Sequence, residues 1–403
     1  MKAVVFTLGC KVNESESASV ISALENAGWQ TDIKLGYADA YVLNTCAVTR
    51  EAEKKSRQLI ARVRKFNPEA KIFVCGCASE KDKKSFEEKG VAFVAGTRDK
   101  ERVLEAFSRE FGCKISGLHY PKQPRTRAFI KIQDGCNNFC SYCIIPYLRG
   151  RERSRTVEDI LNEIAATACP EIVLNGINIS SFEGGLAKLI TSLQGVDKRI
   201  RLGSLECSII DENLLDALKN LKDFAPQFHL SLQSGSDAVL KAMNRRYTRA
   251  EYLKKCRLIY EYFPDAAITT DIIAGFPTEK QEDFLESLSI IDEAGFARVH
   301  SFAYSPREGT VAYKLKDLPA EIKSGRLHRL LDRAANSTAK FLTKNVGKVA
   351  EIIAEEYADG FTSGYTGNYI RVYVAGRLTE GGKYPVKIQT LFKDGVLAVK
   401  DEH

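Results

Sequence analysis

Three cysteines, Cys136, Cys140 and Cys143, stand at the spacing C-x3-C-x2-C within Asp134-Gly135-Cys136-Asn137-Asn138-Phe139-Cys140-Ser141-Tyr142-Cys143. Thiolates this close along a chain can converge on one metal centre, and a cubane iron-sulfur cluster held by three of them leaves one iron with an open coordination position. The competing chemistry is a structural zinc knuckle. Zinc normally takes four closed ligands, often as paired C-x2-C or Cys and His groups. Here His119 precedes the loop and the next cysteine is Cys169, so no fourth ligand lies nearby. The spacing favours a cluster with an open iron.

A second set lies toward the amino terminus. Cys10, Cys46 and Cys77 each follow a short apolar run, residues 2 to 8, Ala40 to Leu43 and Lys71 to Val74. Such runs read as buried strands, while Ser15 to Ala27 and about Thr49 to Phe66 read as helices and Ser79 begins another. Alternating strand and helix predicts a parallel α/β sheet, whose ligands gather at the carboxyl ends of the strands. Taken singly, each cysteine reads as a small buried hydrophobe. Their shared placement after strands points instead to joint ligation at one sheet edge. Cys75 makes a C-x-C with Cys77 and reads as a bystander, and Cys169, Cys207 and Cys256 read as packing residues.

From Ala128 the alternation resumes. Ala128 to Gln133, Ile172 to Leu174, Ile200 to Leu202, Phe228 to Leu232, Ala267 to Ile273 and Ala297 to Phe302 are strand-like, and six such units predict an open barrel with its chemistry at the carboxyl ends. Cys136, Gly176, Asn178, Glu206 and Gln233 fall there, and Gly176 would let backbone approach a ligand closely. Leu327 to Val346 reads as a basic helix. Beyond Gly347 come short β-rich runs, Val349 to Ala354, Tyr369 to Val374, Tyr384 to Thr390 and Val396 to Val399, which predict a small antiparallel barrel.

At 403 residues, 44% of them hydrophobic, the chain can fill two or three cores. The apolar run Ala3 to Leu8 is too short for a signal sequence, and no run approaches a membrane span. A cytoplasmic, reduced protein is expected, whose eleven cysteines favour metal ligation over disulfides. The net charge of +7 is uneven: residues 122 to 157 hold eight Lys or Arg against Asp134 and Glu152, and residues 50 to 65 and 323 to 344 are also basic. Basic segments around a reaction centre suit a polyanion, above all nucleic acid.

Thr7-Leu8-Gly9-Cys10-Lys11-Val12-Asn13, Asn44-Thr45-Cys46-Ala47-Val48-Thr49, Gly76-Cys77, His229 to Ser236, Thr270 to Pro277 and Phe302 to Thr310 together resemble the radical SAM methylthiotransferase family over nearly the whole chain. The resemblance implies two [4Fe-4S] clusters and S-adenosyl-L-methionine (SAM). Cys136, Cys140 and Cys143 would hold the cluster that cleaves SAM to a 5'-deoxyadenosyl radical, and Cys10, Cys46 and Cys77 the one that presents a methylated sulfur. Gly176, Asn178, Glu206 and Gln233 would line the SAM or substrate cavity. It further implies three domains, residues 1-118, 122-343 and 344-403, the last a TRAM domain, with a lysine- and proline-rich linker from His119 to Arg127. The expected partners are a tRNA anticodon stem-loop and an electron donor such as flavodoxin or ferredoxin. A C-H bond with no acidic proton leaves general bases little to do, in keeping with the lack of a Ser-His-Asp or paired-carboxylate motif.

Gly9 to Asn13, Asn44 to Thr49 and Lys55 to Gln58 resemble the branch that acts on adenosine 37 bearing a threonylcarbamoyl group. Its carboxylate would need a cation, for which Arg149, Arg151 and Arg153 are candidates. The alternatives are isopentenyladenosine 37, a protein residue, or an RNA-binding iron-sulfur protein without SAM chemistry. In the last segment seven Lys or Arg face eight Asp or Glu, so RNA contact there needs a clustered face of Arg371, Arg377, Lys383 and Lys387, and a structural cap is the rival role.

Overall fold

A computed structural model of the protein describes residues 1-118, 120-121 and 126-401. Much of the expected linker, with Lys122 and Arg125, lies outside the described residues. In the first region β1 (Lys2–Thr7), β2 (Gln30–Asp32), β3 (Ala40–Thr45), β4 (Lys71–Gly76) and β5 (Phe93–Val94) form a parallel sheet in the order β2-β1-β3-β4-β5. The strands read as continuous apolar runs because both faces are covered. Val4, Leu43 and Val74 meet Leu59 and Val63 of helix α2 (Arg50–Arg64), while Val5, Val42 and Phe73 share a cluster with Val20 and Leu24 of α1 (Lys11–Asn26). The Thr49 side chain accepts from the Ala52 N–H and fixes where α2 starts.

The second region holds β6 (Arg127–Asp134), β7 (Arg153–Ser154), β8 (Glu171–Gly176), β9 (Arg199–Leu202), β10 (Ser204–Leu205), β11 (Gln227–Leu230), β12 (Ala267–Ala274) and β13 (Arg298–Ala303). They make the open barrel from two four-stranded sheets, β7-β6-β8-β9 and β10-β11-β12-β13. Gly203 alone separates β9 from β10, and its N–H turns to Leu174 O at 2.7 Å, so one kinked strand serves both sheets. Outward residues such as Ile130, Ile172, Phe228 and Ile268 pack in one large core beneath the helices. The opposite parity, Phe129, Lys131, His229, Asp271 and His300, remains only partly buried, so the barrel interior is polar and not filled.

In the third region β14 (Val349–Ala358), β15 (Phe361–Thr366), β16 (Arg371–Ala375), β17 (Lys383–Phe392) and β18 (Gly395–Lys400) close a barrel in the order β14-β15-β16-β18-β17. Two details depart from expectation. The pair β16 and β18 is parallel, and β15, interrupted in sequence by Ser363-Gly364, is not among the expected β-rich runs. Gly364 is needed there, since a Cβ would collide with the backbone of Ile353 on β14. The long helix before this barrel starts at Ala320 rather than Leu327, directly after Pro319.

The small barrel covers the amino-terminal end of the large one. Arg201, 2% exposed, donates to Glu171 Oε1 at 2.7 Å and to the carbonyl oxygens of Gly367 at 3.0 Å and Thr366 at 3.3 Å. Tyr369, in a left-handed turn, lies under the Arg201 and Arg127 guanidinium groups at 4.7 and 5.2 Å. Lys383 is turned to Asp223 at 2.5 Å and Arg371 to Asp394 at 2.9 Å, so two members of the expected basic face are committed to ion pairs. Burial pushes the Glu171 carboxyl up, but Arg201 and Arg127 outweigh it and hold Glu171 below the usual range. Arg201→Met leaves that buried charge with less compensation, a loss of about 3 kcal/mol or more. A clear fall in the thermal unfolding midpoint of the apo-protein is expected by circular dichroism; an unchanged midpoint contradicts the role assigned to Arg201.

Candidate active site

Parallel pairing in register, Thr7 with Asn44 and Thr45 with Gly76, levels the carboxyl ends of β1, β3 and β4. Cys10 caps α1, Cys46 follows β3, and Cys77 opens the short helix α3 (Cys77–Lys81) after β4. Two glycines allow this convergence. Gly9 has φ +119° and a Cβ on it would lie 3.1 Å from Cys46 Sγ; Gly76 has φ +107° and a Cβ would strike the backbone of Thr45. Burial pushes the Cys77 thiol up to about 11, with Cys10 and Cys46 among the groups that act on it, and burial also raises Cys46. Thiols held neutral in this way become thiolates readily only against a cation, which is the chemistry of a metal-binding set.

Cys75 belongs elsewhere. On a continuing strand residues two apart share a face, but the chain turns at Gly76. Cys75 therefore packs with Val5, Val42, Phe73 and Phe107 on one side of the sheet, and Cys77 with Leu43, Val74 and Leu148 on the other.

The loop of Cys136, Cys140 and Cys143 follows β6 and is clamped from three directions. Asn244 Nδ2 donates to the carbonyl oxygens of Asn138 and Phe139 at 3.1 Å, the Ser141 N–H to Met243 O at 3.0 Å, and the Ala312 N–H to Ser141 O at 2.7 Å. These bonds keep Phe139 at φ 46°. Burial raises Cys136 and pushes Cys143 up to about 12. Donors point at sulfur: Asn138 N–H at Cys136 Sγ (3.5 Å), Arg245 Nη1 at Cys140 Sγ (3.4 Å) and Val48 N–H at Cys46 Sγ (3.5 Å). Hydrogen bonds of this kind stabilise ligated thiolates and tune cluster potential. The donor sets fit cubane clusters, which spread their thiolates over separate irons.

Of the other expected residues, Glu206 comes nearest the loop, accepting from Asn138 Nδ2 at 2.6 Å and pairing with Arg245 at 3.3 Å. Gln233, at φ 73°, bonds through its backbone to Asp271 and Ile273 of β12. Asn178 donates its N–H to Gln133 Oε1 at 2.8 Å, and a Cβ on Gly176 would lie 2.8 Å from Gln133 O. The close approach at Gly176 is thus to the β6 backbone. Arg245 escaped the sequence reading, because an arginine after an ordinary helix carries no spacing signal.

Arg149 corrects one expectation. It is fully buried, donating from Nη1 to Glu16 Oε1 and Asp134 Oδ1 at 3.0 Å each and from Nη2 to Asn13 Oδ1 at 2.7 Å, so it is not free to meet a substrate carboxylate. Arg153 is committed to Asp134 Oδ2 at 2.7 Å, and Arg151 lies over the Phe139 ring at 5.1 Å. Lys100 and Lys131 also pair with Glu16. The network joins the first region to the second directly beside both cysteine sets.

Residues 130-291 match the Radical SAM superfamily, and residues 2-96 match an uncharacterized protein family, UPF0004. The threonylcarbamoyladenosine tRNA methylthiotransferase MtaB of Chlamydia pneumoniae is 38% identical over 86% of this chain and 85% of its own length. The chain belongs to the radical SAM tRNA methylthiotransferase family. A tRNA-2-methylthio-N(6)-dimethylallyladenosine synthase of Oceanobacillus iheyensis is 34% identical, covering 87% of this chain and 74% of its own. In fold, the radical SAM methyltransferase TsrM of Kitasatospora setae superposes with a TM-score of 0.55 at 12% identity, over 90% of this chain and 80% of its own. The protein is an enzyme that methylthiolates tRNA, with [4Fe-4S] clusters and SAM as its cofactors. No helix among the described residues is long and apolar enough to cross a membrane.

The opposite faces taken by Cys75 and Cys77 give a direct test. After anaerobic reconstitution Cys75→Ala is expected to keep the iron content of the unsubstituted protein and Cys77→Ala to lose about half. Loss of iron from Cys75→Ala with retention in Cys77→Ala would exchange the two roles.

Proposed function

We propose that the protein methylthiolates C2 of threonylcarbamoyladenosine 37 in tRNA. Cys136, Cys140 and Cys143 hold the cluster that cleaves SAM, Cys10, Cys46 and Cys77 hold the second, and a flavodoxin or ferredoxin supplies electrons. The observation that carries the substrate is the character of the barrel interior. Lys11, Asn175, His229, Asp271 and His300 gather there, with His229 Nε2 3.1 Å from Asp271 Oδ2 and His300 5.7 Å from His229 between ring centroids. A carboxylate-bearing substituent suits that lining, whereas an isopentenyl group would want an apolar pocket. The 38% identity to a threonylcarbamoyladenosine enzyme supports the same reading.

When bound, the clusters and SAM supply the carbon-centred radical and the sulfur. The chain supplies position. Arg245 pairs with Glu206, donates from Nη2 to Ser231 O at 3.2 Å and places a positive charge beside Cys140. Asn138 joins the same group through Glu206, so the cluster loop is held to the β10 and β11 side of the barrel. Arg149 sets the loop of Cys10 and Asn13 against the loop that begins at Asp134, which fixes the distance over which a base can be presented to both centres.

The identity to a dimethylallyladenosine enzyme, 34%, favours isopentenylated tRNA as the rival substrate. Reconstituted enzyme with SAM and reductant is expected to methylthiolate tRNA carrying the threonylcarbamoyl group, as read by nucleoside mass spectrometry. Equal rates on tRNA lacking the group, or preference for isopentenylated tRNA, would overturn the substrate assignment and leave the two-cluster chemistry standing.

A further inference from the structure

We infer that Lys11 binds the carboxylate of the threonylcarbamoyl group and thereby selects the substrate, an assignment that rests on the substrate reading above. Lys11 is the first residue of α1, immediately after Cys10. Its carbonyl oxygen accepts from Asn175 Nδ2 at 3.3 Å, which fixes it against the carboxyl end of β8. Its ammonium lies 6.0 Å from the centroid of Phe129, an inward residue of β6. The residue is solvent-accessible, and among the described residues no carboxylate comes within ion-pair distance of its ammonium.

Most other cations near this space are already committed, and Arg151 lies outside it, exposed over the Phe139 ring. Arg127 and Arg201 pair with Glu171, Lys131 with Glu16, Arg149 with Glu16 and Asp134, and Arg245 with Glu206. Arg298 opens β13 and so stands at the amino-terminal end of its strand, away from the cysteine loops. Lys11 enters from the carboxyl-terminal end, its ammonium reaches down to Phe129 in the barrel interior, and among the described residues it is in no ion pair.

The chemistry of the base places the substituent near it. On adenine, C2 and the N6 substituent flank N1 on the same edge of the ring. A base with C2 turned toward the loop of Cys10 carries its N6 group past the residue that follows. A charge-assisted hydrogen bond from Lys11 then meets the threonine carboxylate. An isopentenyl group entering the same place would strip water from the ammonium and return nothing, so one residue both attracts the first substituent and repels the second.

The test compares anticodon stem-loops bearing the threonylcarbamoyl group, the same group with its carboxylate methyl-esterified, and no group, on the reconstituted wild-type enzyme, Lys11→Met and Lys11→Arg. For Lys11→Met, kcat/KM on the threonylcarbamoyl substrate is expected to fall about tenfold or more, mainly through KM. Its iron content should match wild type, and Lys11→Arg should recover part of the loss. Esterification should cost the wild type a similar factor, a readout that needs no variant to fold. A wild-type preference that persists in Lys11→Met, or an ester accepted as well as the acid, overturns the Lys11 assignment alone. A wild-type enzyme with no preference for the threonylcarbamoyl group overturns the substrate reading and Lys11 with it.

Discussion

Arg149 has no solvent exposure and stands between the two cysteine loops, where a charge is tolerable only because Glu16, Asp134 and Asn13 surround it. Burial works against its ionisation, and the charges of Glu16 and Asp134 more than restore it. The same contacts fix the geometry of the site. Asn13 lies three residues after Cys10 and Asp134 two before Cys136, so one guanidinium sets both loops at once. Glu16 is in turn held by Lys100 and Lys131, and it stays ionised because these cations and Arg149 outweigh its desolvation. Removing any one member leaves the others buried without full compensation.

A second ionic layer closes the opposite end of the large barrel. Arg127, Glu171 and Arg201 lie across its amino-terminal end, and the Thr366 to Tyr369 turn of the small barrel seats on them. The two layers divide the molecule. Both layers spend charge on holding domains together; between them the interior keeps half-buried polar groups and the Lys11 ammonium. That division accounts for why a barrel of this kind need not fill its interior with apolar side chains, as closed eight-stranded barrels do.

Much of this was legible in the sequence because spacing and strand ends carry it. The C-x3-C-x2-C run lies on one short loop, and Cys10, Cys46 and Cys77 follow strands that pair side by side, so simple α/β topology brings them together. Cys75, expected to be a bystander, packs on the face of the sheet away from Cys77 because Gly76 turns the chain. What failed was the reading of charge. Arg149 and Arg153 look in sequence like members of a basic run open to a polyanion, yet Arg153 faces Asp134 across the β6-β7 pair, and Arg149 faces Asp134 and Glu16, the last brought near by the docking of the first region on the second. Lys11 drew notice only as part of a motif, since nothing local reveals that a lysine beside a cysteine lacks a partner. Strand β15 was missed because Ser363-Gly364 signals a turn, while the tight crossing that requires Gly364 is a tertiary fact.

In the function proposed above, one chain builds two separate cluster sites from two cysteine sets that meet at one seam. Iron and sulfide analysis of two complementary triple variants, Cys10/Cys46/Cys77→Ala and Cys136/Cys140/Cys143→Ala, tests it most directly. The account predicts about eight irons in the reconstituted wild type and about four in each variant. A wild type that never exceeds about four irons, or a triple variant that retains none, would contradict it.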